Sequence, residues 1–133
     1  MNILRHLAYE IDRGVRSLAL HTAPTGELAE TTAWLSGMGL HTIVTEVGED
    51  QCNIFFGRRE CIQALRRFST LQLNQMSEEE DFMLGVMLGY DLCRQCLRYH
   101  RRKQDRELAT EACPRAILTG RVRSHTIRTY LHY

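Results

Sequence analysis

The stretch that most constrains this chain is Ser77–Lys103, SEEEDFMLGVMLGYDLCRQCLRYHRRK, whose pattern predicts one long helix. Ser77 with Glu80 three residues on forms a capping box, and the acids from Glu78 to Asp81 lie where a helix start favours negative charge. Arg98, Arg101, Arg102 and Lys103 then place cations on the last turns of the expected helix. From Phe82 to Leu92 the run is apolar nearly all round, which implies burial on more than one side. In a chain of 133 residues a second copy is a natural cover for the extra face, the domain's own sheet being the alternative. Gly85 and Gly89, four apart with Leu88 between, predict a groove for a dimer contact. Each glycine costs about 1 kcal/mol of helix propensity relative to alanine, which close packing would offset.

Upstream, His6–Asp12 and Val15–His21 flank Asp12-Arg13-Gly14 and are expected as two strands joined by a tight turn. Thr25 is the expected N-cap of a helix over Gly26–Ser36, with Leu28, Thr31 or Thr32 and Leu35 on one face and Gly37 and Gly39 ending it. Thr42–Val47 and Cys52–Phe56, separated by Gly48-Glu49-Asp50, predict a second hairpin. Apolar residues at 61, 62, 65 and 68 follow at helical spacing. The expected order is β-β-α-β-β-α and then the long helix, which is an α+β fold with a small, mostly antiparallel sheet. Residues 1–104 would form a single domain, and 105–133 a basic extension whose first residues, 105–112, extend the helix by one or two turns. Residues 121–130 alternate without a clean apolar face.

Charge divides the chain. Residues 1–93 carry 7 basic and 13 acidic side chains, and residues 94–133 carry 10 and 3, so a cationic end follows an acidic body. Such an end attracts nucleic acid or docks on the acidic surface of its own chain or of a second copy. No helix-turn-helix or RNA-binding signature accompanies it, and Tyr130 and Tyr133 are its only late aromatics, so specific nucleic-acid recognition is not expected. The first residues are charged too early for a secretory signal, and no stretch reaches the roughly 20 apolar residues of a membrane span. Five irregularly spaced cysteines fit reduced thiols and a cytoplasmic setting rather than a disulfide framework.

Three constellations could carry chemistry. Cys93-Arg-Gln-Cys96 with His100 four residues on would share one helix face and supply three ligands to zinc, leaving Cys113, His125 or His132 to complete the site. The other reading is that the cysteines are small hydrophobic residues. A thioredoxin-type role is disfavoured because Cys93 would lie about four turns inside the helix, although Arg94 and Arg98 could still favour a reactive thiolate. Gly57-Arg58-Arg59, leading from a strand into a helix, could hold an anion, or the arginines could pair with Glu60 or the acids at 78–81. No phosphate-binding loop, nucleophile elbow or H-E-x-x-H motif is present, so no enzyme activity is expected.

Asn53-Ile-Phe-Phe-Gly57 with Cys61, Glu80-Asp-Phe82 with Leu84-Gly85, Leu88-Gly-Tyr-Asp91, and Gln95-Cys96 with Arg98-Tyr99 resemble a family of small bacterial proteins known only as a domain of unknown function. The likeness spans roughly residues 1–104. It implies a small α/β fold, a homodimer, and no assigned activity or cofactor. It also implies genes beside a flavodoxin gene, and with them an accessory role in flavodoxin-dependent or iron-responsive electron transfer. The expectation is a non-enzymatic, homodimeric interaction or regulatory protein, with flavodoxin as a candidate partner. Its alternatives are metal or thiol sensing at Cys93, Cys96 and His100, and nonspecific nucleic-acid binding by the tail.

Overall fold

Leu4, Ala8 and Ile11 fall at helical spacing and are at most 2% exposed, which makes the N-terminal segment a helix. A computed structural model describes residues 2–112, in which α1 (Asn2–Asp12) replaces the first expected strand. Gly14, expected in a hairpin turn, ends this helix instead. It adopts φ +78°, its N–H donates to the Ile11 carbonyl, and the Val15 N–H donates to that of Glu10. This double bond is the Schellman closure of a helix end, which needs the left-handed conformation glycine adopts without strain.

The chain then runs through β1 (Leu18–Pro24), α2 (Leu28–Gly37), β2 (His41–Val47), β3 (Gln51–Gly57) and α3 (Arg59–Leu65). A single turn of 3-10 helix over Thr25–Glu27 precedes α2, so Thr25 does not cap it. β2 and β3 form the expected hairpin, and β1 adds to the far side of β3 to give an antiparallel sheet of order β1-β3-β2. The fold is α+β with a small antiparallel sheet, as its composition of elements requires, but the order is α-β-α-β-β-α.

Cys52, Ile54 and Phe56 point from the central strand into a core with Ala19, Ala23, Leu35 and the α1 stripe. Leu7, Leu28, Trp34 and Leu40 pack around it. On the opposite face Phe55 and Asn53 are also buried, so β3 is covered on both sides. Gly57 closes the strand where an added Cβ would lie 2.2 Å from the Ser17 carbonyl oxygen, so only glycine lets β1 approach this closely.

The chain divides into two compact units after Phe68. The second contains α4 (Glu78–Met87) and α5 (Leu92–Ala112). The expected single long helix is therefore two. Gly89 has φ +80°, and the Gly89 and Tyr90 N–H groups donate to the Val86 and Gly85 carbonyls, repeating the closure seen at Gly14. Asp91 then starts α5, its carboxylate accepting from the Arg94 N–H at 2.9 Å. α5 continues without a break past residue 104, and residues 105–112 are helical as expected.

Candidate functional site on the α4–α5 hairpin

The break at Gly89 lays the acidic start of α4 against the cationic middle of α5. Asp81, 1% exposed, accepts from Arg98 Nε at 2.8 Å and Nη2 at 3.3 Å. Arg102 Nη1 lies 3.3 Å from the same carboxylate, a charge contact without an aligned hydrogen bond. Arg106 pairs with the buried Glu78. Glu79 bonds Lys103 at 2.9 Å and the Tyr99 hydroxyl at 2.8 Å, with the Tyr99 ring 5.5 Å from that of Phe82. The Lys103 bond holds the Glu79 carboxyl below its usual range, and the same contacts raise Lys103 and Tyr99.

Ser77 caps α4 by accepting from the Glu80 N–H at 3.1 Å. The Glu80 carboxylate does not return to the cap; it accepts from the Ser69 N–H and hydroxyl. Thus the acids that were candidate partners for Arg58 and Arg59 are engaged within their own unit. Much of the cationic footprint suggested for nucleic acid, Arg98, Arg102, Lys103 and Arg106, is engaged there too. These cations lie in the middle of α5 and not on a last turn. Arg115, Arg121, Arg123 and Arg128 lie outside the described residues.

The glycine groove is absent. The Gln95 side chain fills the space above Gly85, where an added Cβ would meet Gln95 Oε1 at 2.1 Å. Leu88 is 2% exposed, and Gly89 lies beyond the end of α4 and not on a shared helix face. Gly85 and Leu88 are thus covered by their own chain.

What remains outward on α5 is a stripe. Cys93, Cys96, Leu97 and His100 recur at i, i+3, i+4 and i+7, and all are exposed. Leu92 and Leu108 extend it, each 58% exposed, and Leu97 is 50% exposed. Gln95, Arg98, Tyr99, Arg102, Lys103 and Arg106 occupy the side turned to α4. The expected sharing of one face by Cys93, Cys96 and His100 is thus realised, but the cysteines are not core residues. Cys93 also stands in the first turn of α5, where exposed amide N–H groups favour anions, and not four turns inside a helix. Among the described residues no three His, Cys, Asp or Glu side chains are grouped to hold a metal. Cys113, His125 and His132 lie outside the described residues. Periodicity could have found Leu97, which falls between Cys96 and His100 on the same face.

The second candidate lies in the first unit. A shallow cleft of about 290 Å³ is lined by Ile11, Asp12, Gly39, Leu40, His41, Arg58, Arg59 and Glu60. Arg58 turns away from anion binding: its Nη2 donates to the Ile11 carbonyl at 3.4 Å, answering the carbonyl end of α1, and its N–H donates to Ser17. Asp12 and Glu60 line the same cleft as the two arginines, and Gly57 serves the β1–β3 approach. The geometry shows structural roles for Gly57 and Arg58, and Arg59 stands exposed at the cleft.

Among the described residues no helix is long and apolar enough to cross a membrane. No curated protein matches the chain. A family model described as a protein of unknown function (DUF2023) matches residues 2–102.

Proposed function

The chain belongs to this family of proteins of unknown function, and from that premise we propose a non-enzymatic, homodimeric interaction protein that presents the outer face of α5 to a protein partner. The observation that carries the reading is the exposed row Leu92, Cys93, Cys96, Leu97 and His100 on a helix whose opposite side is engaged with α4. Apolar side chains aligned on an exposed helix face leave surface in water that a partner groove would cover. A cytoplasmic setting agrees with Cys52, Cys61, Cys93 and Cys96 all being free thiols.

The resemblance makes flavodoxin the first partner to try. Calorimetric titration of oxidised and reduced flavodoxin into the full chain should give saturable binding, weakened at least about tenfold, or 1.4 kcal/mol, by Leu97→Asp. Binding that is absent, or indifferent to Leu97→Asp, contradicts this surface.

A second reading, thiol or metal sensing, is favoured by one observation. Both cysteines are exposed one turn apart at the start of α5, with His100 on the next turn. Titration with zinc should then give a stoichiometric complex that the Cys93→Ser, Cys96→Ser double variant loses. Equal behaviour of the two proteins would remove this reading.

A further inference from the structure

β2 and β1 are both edge strands, and among the described residues no backbone hydrogen bond reaches their outer sides. An open edge is a template for another strand unless a proline, a lysine, a bulge or a cover blunts it. β1 ends in Pro24. β2, His41-Thr-Ile-Val-Thr-Glu-Val47, carries neither proline nor lysine and is rich in β-branched residues.

A second observation falls on the same strand. Thr22, Asn53 and Thr45 form a row across the sheet, because Asn53 on the central strand is opposite Thr22 on one side and Thr45 on the other. The Thr22 hydroxyl donates to Asn53 Oδ1 at 2.6 Å. At the other end of the row Thr45 Oγ1 is buried without a hydrogen-bond partner among the described residues. A buried hydroxyl left unpaired is costly, and this one belongs to a residue of the edge strand.

We infer that β2 pairs antiparallel with β2 of a second copy about a two-fold axis through Thr45, giving a continuous six-stranded sheet. The inference rests on the homodimeric reading above and gives that dimer its interface. An axis at Thr45 brings the two Thr45 hydroxyls together, so the polar row runs unbroken through both sheets. It sets Ile43 beside Val47 of the second copy on one face and Val44 beside Glu46 of the second copy on the other. An axis at Val44 would leave Thr45 facing isoleucine and still unpaired, and one at Glu46 would set two carboxylates against each other. A two-fold contact of this kind is self-complementary and closed.

The test is symmetric cross-linking in the full chain after Cys93→Ser, Cys96→Ser and Cys113→Ser. In this register residue 45 faces its own copy at about 5 Å between Cβ atoms. Residue 47 is offset from its copy by four residues, about 13 Å at strand rise. Mild oxidation should therefore convert Thr45→Cys to a covalent dimer on a non-reducing gel and leave Val47→Cys monomeric. Equal cross-linking of the two variants, or none at Thr45→Cys while light scattering of the unsubstituted chain still reports a dimer, would overturn the β2 interface and leave the dimer standing. A monomeric unsubstituted chain would overturn both. If Thr45→Cys fails to fold, hydrogen exchange of the unsubstituted chain decides. Outward β2 amides should be more protected at high than at low micromolar concentration, and concentration-independent exchange would exclude the interface.

Discussion

Asp81 shows how burial, and not charge alone, ranks the contacts of the hairpin. It is 1% exposed and bidentate with Arg98, whereas Glu79 and Lys103 are 51% and 39% exposed. Removing one partner of a buried pair strands the other charge, at about 3–5 kcal/mol, while an exposed pair contributes about 0–1 kcal/mol. Arg98→Ala should therefore cost about 3 kcal/mol in urea unfolding, the remaining Arg102 contact holding it to the low end, and Lys103→Ala under about 1 kcal/mol. Equal losses would show that the ranking by burial is wrong. His21 supplies a pH term. Burial on β1 holds its imidazole below the ordinary value near 6.5. The unfolded chain then binds the proton more readily, so this contribution is fully present above about pH 6.5 and is lost as pH falls toward the depressed native value. The urea midpoint should drop from pH 7.5 to 5.5 more in the unsubstituted chain than in His21→Gln; identical slopes would refute the assignment.

At the level of elements, glycine placement decides where helices stop and what packs beside them. Gly89 has open space around its missing Cβ, so Gly89→Ala isolates the backbone cost of its φ of +80°, about 1–2 kcal/mol. Gly85 is the reverse: alanine would raise helix propensity by about 1 kcal/mol, but its Cβ would strike Gln95. Gly85→Ala should thus destabilise the chain, and Gln95→Ala added to it should recover much of the loss. A stabilising Gly85→Ala would mean that Gln95 has another position. These glycines also explain what the sequence revealed and what it hid. Left-handed glycine serves hairpin turns and helix ends alike, so Asp12-Arg13-Gly14 resembled a turn although Leu4, Ala8 and Ile11 already carried the helical period. Leu88-Gly-Tyr-Asp91 holds a helix end followed by an N-cap, yet the apolar run through it masked the break. The β2–β3 hairpin was legible because its alternation and turn are local. The common face of Cys93, Cys96 and His100 was legible too, since that spacing holds wherever the helix begins. Partners distant in sequence, such as Gln95 on Gly85 and the Thr22–Asn53–Thr45 row, leave no local pattern to read.

Over the whole molecule, the acidic and cationic halves of the sequence are partly reconciled within the α4–α5 hairpin. Among the outward features of the described residues are the α5 stripe and the open β2 edge. We propose the first for a partner and the second for another copy of the chain, giving a two-fold protein with two equivalent helix faces. Everything in this reading of the molecule depends on self-association, and light scattering of the untagged full chain from low to high micromolar concentration decides it. A dimer gives twice the 15.4 kDa chain mass. A mass of 15.4 kDa maintained at high micromolar concentration would contradict it.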